Sequence, residues 1–252
     1  MHIPIAKLTF LRLIVIVTGV FAFMFLMPAV GFTTLPRYDT AAALTVGVIL
    51  AFLLFQASER RRQFVASVYV ELNKLRRIYH LAKSLSLMDQ KYRVWFTELH
   101  GQLIAYMTAF QGRDMDKYSE SNAAFRDISY NIYKIPDVAS KKEESLFNEL
   151  LRTTAAVAEA RQNVKELRRS RISAYSWVVI LLMVAGSAIT TYLSTGDTDV
   201  SRIASAATIT IALLAVDLLW EIDTLVAERQ SIAQRYVDNV AKLQLGREDN
   251  GS

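Results

Sequence analysis

The chain reads as an all-α membrane protein, with four transmembrane helices arranged two and two and a helical cytoplasmic bundle formed by extensions of spans two and three. Three observations predict this. Residues 13–32, 40–58 and 172–196 contain no Asp, Glu, Lys or Arg, and about 20 mainly apolar residues suffice to cross a bilayer as a helix. A fourth apolar stretch, 203–216, is shorter and spans only by continuing to Trp220 with Asp217 at the membrane's edge. Between the second and third stretches lies a charged middle in which apolar residues recur at helical spacing. The expected organisation is a first hairpin over 1–58, a cytoplasmic helical domain over 59–171, a second hairpin over 172–222 and a cytoplasmic C-terminal tail over 223–252.

The first apolar stretch is longer than the core of a secretory signal, no A-x-A site follows it, and the second stretch comes at once, so it is expected to span. A tight outer turn from Gly31 to Pro36 joins spans one and two. Beyond Gly47 the second span meets no Gly or Pro, and Val65, Val68, Leu72, Leu75, Ile78 and Leu81 recur at three- and four-residue spacing. That is one helical face, and it predicts a single long helix to about Leu87. Asp89 caps a second helix over 90–110, with Val94, Leu99, Leu103 and Met107 on one side and Gly112 as its stop. A shorter helix covers 121–133 through Phe125, Ile128 and Ile132, and Pro136 breaks the chain.

Ser140-Lys-Lys-Glu143 has capping-box form and opens a helix through Leu146, Leu150, Val157, Val164 and Leu167. No breaker separates it from span three. One helix over 141–193 is therefore expected, roughly 80 Å long at 1.5 Å per residue. Residues 247–252 read as a disordered end.

Charge sets the orientation. Of the 29 basic residues, 27 lie in the N-terminal tail, the middle segment or the C-terminal tail, and the two short loops hold only Arg37 and Arg202. Basic residues near span ends stay cytoplasmic, so both termini and residues 59–171 are expected inside. Arg60, Arg61, Arg62, Arg168, Arg169 and Arg171 sit directly below spans, where anionic lipid headgroups attract them. The net charge of +5 thus has a bilayer as its partner, and no reader motif supports a nucleic acid.

The chain has no cysteine, which excludes disulfides and thiolate metal sites. No nucleophile elbow, Gly-rich phosphate loop or H-E-x-x-H occurs. His2, His80 and His100 are scattered, and the latter two read as surface or core residues. Neither an enzyme nor a cofactor is expected.

Two groups of residues bear on function. Asp217 and Glu221, four apart, share one face of span four beside the interfacial Trp220. One reading makes them a carboxylate ring at a cytoplasmic pore mouth, favouring cations. The other pairs them with Arg60–Arg62 or Arg168–Arg171, anchoring the span. On span two, Val48, Phe52, Phe55 and Glu59 are spaced 4, 3 and 4 and form a stripe. Bulky apolar rings around an axis make a constriction that gates by dewetting; packing or lipid contact is the plainer alternative. Small residues in spans three and four, Ala185–Ala188 and Ala204–Ala207, permit close helix approach.

The stretch from Leu50 to Arg62, Leu-Ala-Phe-Leu-Leu-Phe-Gln-Ala-Ser-Glu-Arg-Arg-Arg, followed by Val70-Glu71 and on to Tyr79, resembles the bestrophin-like bacterial membrane proteins. So do Leu167-Arg-Arg-Ser-Arg-Ile172, Trp177 at the head of span three, and the order of two spans, helical block, two spans. The resemblance implies a pentameric ion channel with span two lining an axial pore. That makes Val48, Phe52 and Phe55 the expected constriction and Glu59, Asp217 and Glu221 the inner mouth. Arg61, Arg62 and Gln63 stand where bestrophins carry a Trp pair, and a Pro common in span three of relatives is absent, so ion selectivity does not carry over. The expectation is a homo-oligomeric channel of the bacterial inner membrane. Its rivals are a stator-type proton-channel subunit that needs a single-span partner, and a non-conducting sensor or scaffold.

Overall fold

The computed structural model describes residues 5–29, 36–110, 118 and 121–244, and they form eight α-helices joined by short connections. These are α1 (Ile5–Leu26), α2 (Pro36–Met88), α3 (Arg93–Thr108), α4 (Asn122–Tyr133), α5 (Lys141–Arg169), α6 (Ala174–Ser194), α7 (Asp199–Thr224) and α8 (Val226–Gln244). The expected outer turn at Gly31–Pro36, the stop at Gly112 and the end at 247–252 lie outside the described residues, save for Pro36, which opens α2. The helices divide into two compact units, Met1–Arg61 with Arg171–Leu225, and Arg62–Ser170 with Val226–Ser252.

The first unit holds α1, the N-terminal part of α2, α6 and α7. Among the described residues three helices, α2, α6 and α7, are long and apolar enough to cross a membrane, and α1 contributes a shorter apolar run, Leu11–Leu26. α7 carries the fourth apolar stretch well past Asp217 to Thr224. The core gathers Val46, Leu50 and Ala57 of α2 with Ile180 and Val184 of α6 and Leu219 and Ile222 of α7. Small and hydroxylic side chains, among them Ser187, Thr191, Ala206 and Thr210, are buried on α6 and α7. At the far end of this pair Thr195 donates to Ser205 Oγ at 2.8 Å and Ser201 Oγ accepts from the Gly196 N–H at 2.9 Å. Tyr192 donates to the Pro28 carbonyl at 3.0 Å and packs against Phe23 at 5.5 Å between ring centroids, which ties α6 to the end of α1.

The expected single helix over 141–193 is two helices. α5 ends at Arg169, and the chain runs unwound to Ser173, whose hydroxyl accepts from the Ser176 N–H and caps α6. A serine competes well for backbone donors at a helix start, and Arg-Ser-Arg-Ile-Ser supplies two of them with no apolar spacing to hold a turn.

The second unit is a helical bundle. Phe64, Val68, Leu72, Leu75, Ile78, Ala82 and Leu85 of α2 are buried, as are Leu99 and Leu103 of α3, Ile128 and Ile132 of α4, and Leu150, Val157 and Val164 of α5. The helix expected over 90–110 begins with a 3-10 turn, Gln90–Tyr92, capped by Asp89, whose carboxylate accepts from the Lys91 N–H at 3.0 Å. Ser140 caps α5 as its pattern predicts, accepting from the Glu143 N–H at 3.2 Å. Glu143 returns the contact one residue further back, at the Ala139 N–H (3.0 Å), and also accepts from the Tyr92 hydroxyl at 2.8 Å. Backbone and phenol donors together hold its carboxyl down at about 2. The stretch after Thr224 is a helix rather than a tail: α8 packs on α3, with Ile232 and Tyr236 fully buried.

Candidate functional site

The candidate site is the second span and the charged end that follows it. α2 enters with Thr45 donating back to the Ala41 carbonyl at 2.8 Å, so its one early hydroxyl is satisfied within the helix. One face, at Val46, Leu50 and Ala57, is committed to the core of the first unit. The opposite face is bare. Val48, Phe52 and Phe55 are 62, 59 and 69 % exposed, and Leu44 continues the stripe at 68 %. Glu59, the next residue on that spacing, is half-buried. A Phe of full size normally gains about 1.5–3 kcal/mol from burial, and neither Phe52 nor Phe55 gains this within the chain.

Immediately below the stripe, the helix turns a charge inward. Arg60 is 9 % exposed and its Nη1 lies 2.9 Å from Asp223 Oδ1 on α7, while Nη2 donates to the Asp223 carbonyl. Asp223 Oδ1 also accepts from the Ile172 N–H at 3.1 Å, in the unwound stretch before α6. One buried carboxylate thus holds α2, α7 and the start of α6 together. A buried pair of this kind contributes little net stability over apolar packing, yet it is costly to break from one side. What it supplies is a fixed register for three helices.

Asp217 pairs elsewhere. Arg12 of α1 reaches it at 3.7 Å, and the Arg12 guanidinium stands 5.2 Å over the Trp220 ring. Glu221 is half-buried on the same helix. Of the arginines that sequence reasoning offered to Asp217 and Glu221, Arg60 is taken by Asp223, and Asp217 is met by Arg12 of α1. Of the six arginines expected at lipid headgroups, Arg60 is turned into the protein, Arg168 is half-buried, and Arg61, Arg62, Arg169 and Arg171 are exposed. Asp223 went unnoticed in the sequence because its partner lies far along the chain. The available signal was an acidic residue two positions beyond Glu221, in a helix already closed by Trp220.

His80 and His100 take no part in these contacts. His100 stacks on Phe96 (5.8 Å, 6°) and lies 5.1 Å from the Tyr79 ring, and His80 is exposed. Among the described residues no group of three His, Asp or Glu side chains is placed to hold a metal ion.

Comparison with known proteins gives one family and a shared fold. A family model described as the bestrophin-like domain matches residues 39–222. A crystal structure of a variant of a bacterial bestrophin homologue from Klebsiella pneumoniae superposes with a TM-score of 0.73 at 9 % identity, covering 92 % of this chain and 99 % of that one. A second variant of the Klebsiella homologue gives 0.64 at 10 % identity over 92 % of this chain and 97 % of its own. A structure described as a membrane protein gives 0.63 at 10 % identity over 94 % and 99 %. No curated protein matches. The chain belongs to the bestrophin-like family.

Proposed function

We propose that this bestrophin-like protein is an oligomeric ion channel of the bacterial inner membrane, in which the second span of each subunit lines the pore. The carrying observation is the bare stripe of α2: Val48, Phe52 and Phe55 are exposed on one face while Val46, Leu50 and Ala57 are buried on the other. A helix that commits one face to its own subunit and leaves aromatic rings on the other is built to face something outside the subunit. Arranged about a symmetry axis, such rings form a constriction that closes by dewetting. Family membership favours an axis over lipid as what they face.

In this reading Glu59, Asp217 and Glu221 shape the inner mouth. The Arg12 pair offsets much of the Asp217 charge. The basic residues place the termini and the second unit on the cytoplasmic side. The oligomer is taken to be a pentamer, and its ligands are the lipid bilayer and the permeating ions.

Single-channel recording of the purified protein in a planar bilayer under a salt gradient tests this. Discrete unitary steps are expected, and Phe52→Ala with Phe55→Ala raises unitary conductance or leak by about twofold or more. Silence from folded, oligomeric protein, or steps unchanged by the double substitution, overturns the pore assignment. Co-purification of a small single-span protein alongside silence would favour the partner-dependent channel instead.

A further inference from the structure

A carboxylate with no part in the proposed pore lies at the centre of the second unit. Glu71 of α2 is fully buried. The Tyr106 hydroxyl of α3 donates to its Oε1 and the Tyr118 hydroxyl to its Oε2. Arg161 of α5 lies 3.5 Å from Oε1. Its guanidinium also donates to the Tyr106 hydroxyl, to Ser121 Oγ at 3.0 Å and to Asn122 Oδ1 at 3.0 Å. Rings of Tyr106, Tyr118 and Phe125 stand 4.9, 5.0 and 4.8 Å from it.

The last wall of this cluster is α8. Tyr236 is fully buried, stacks on Phe110 at 4.2 Å between centroids, and turns its hydroxyl toward the same carboxylate without a well-aligned hydrogen bond. The charged and titratable groups facing Glu71 are therefore Arg161 and, more distantly, Lys165 of α5, with the phenols of Tyr106, Tyr118 and Tyr236. Burial outweighs the attraction of Arg161 and the tyrosine hydrogen bonds and pushes the Glu71 carboxyl up to about 7.

Of the groups facing Glu71, the one from α8 is the least tied to it: Tyr106 of α3, Tyr118 and Arg161 of α5 all engage the carboxylate, whereas the Tyr236 hydroxyl has no aligned partner. α8 follows α7 through one residue, Leu225, held at φ 55. That left-handed conformation is unfavourable for a leucine. A buried phenol without an aligned partner also costs free energy that water would relieve.

We propose that α8 is a proton-linked latch, docked over the Glu71 cluster while that carboxyl holds its proton and released, with Tyr236, when it ionises. The direction follows from linkage. A group whose proton is held more tightly in the docked state stabilises docking fully below its ordinary value of 4.5 and loses that contribution as pH rises through about 7. Release lets water reach the carboxylate beside Arg161.

The test is amide hydrogen exchange by mass spectrometry on the full chain in lipid nanodiscs, at about pH 6 and about pH 8.5, corrected for intrinsic rates. Protection in peptides over 232–240 is expected to fall about tenfold at the higher pH, while α3 peptides hold steady. Glu71→Gln should keep α8 protected at both values. Equal protection of wild-type α8 at both pH values overturns the latch, as does a wild-type response retained by Glu71→Gln.

Discussion

The two parts of α2 obey one helical rhythm and meet different surroundings. In the first unit its buried positions are Val46, Leu50 and Ala57, and its outward positions are Leu44, Val48, Phe52 and Phe55. In the second unit Phe64, Val68, Leu72, Leu75 and Ile78 are buried together with Glu71, and the outward positions are mixed, with Arg62, Gln63, Asn73, Arg77 and His80 beside the exposed Tyr69 and Val70. Apart from Glu71 the inward face reads alike in both. The outward face differs more, apolar in the first unit and largely polar in the second, because an apolar core demands the same side chains in either place. A buried charge marks the change from one part to the other: Arg60, held by Asp223.

The largest expected effect tests that marker. Arg60→Leu leaves the Asp223 carboxylate buried without its cation and should cost about 3–5 kcal/mol, read as a lower denaturation midpoint in detergent. Arg61→Leu, one position away and exposed, should cost less than about 1 kcal/mol. Equal costs would mean that Asp223 is solvated and that the node does not fix the three helices. Next comes the comparison of the two faces. Leu75→Ala in the core of the second unit should cost about 2–5 kcal/mol, whereas Phe52→Ala should stay within about 0.5 kcal/mol. A Phe52→Ala penalty as large as that of Leu75→Ala would show the ring packed between subunits rather than facing open space.

Much of this was legible in the chain itself. The charge-free stretches fall in α1, α2, α6 and α7, and the Val68, Leu72, Leu75 and Ile78 rhythm became the buried face of α2. Ser140 and Glu143 announced a helix start because a cap is a matter of residues three apart. The break at Ser170–Ser173 stayed hidden because serines in a charged run resemble a solvated helix face as much as a cap. Asp223 with Arg60, and Glu71 with Arg161, stayed hidden for a different reason. Each pair joins distant parts of the chain, and nothing in local spacing says which arginine a carboxylate will meet. α8 was within reach: Ile232 and Tyr236 stand four apart, too sparse a signal to separate a docking helix from a polar tail.

The smallest effect concerns the second unit alone. Glu143 is held down at about 2 by the Ala139 N–H and the Tyr92 hydroxyl. A carboxyl whose folded value is depressed stabilises above its ordinary value of 4.5 and loses that contribution as pH falls toward 2. The second unit should therefore lose helicity on the acid side, in the opposite direction to the release expected of Glu71 on the alkaline side. Tyr92→Phe removes one of the donors and moves the acid limb to higher pH, followed by circular dichroism from about pH 7 to about pH 2. Tyr92 is fully buried and keeps its ring in the variant, so packing is little changed and the shift reports the hydroxyl. An acid limb that does not move would leave the Ala139 and Ser140 backbone donors as sufficient, and the phenol as a packing residue that happens to reach Glu143.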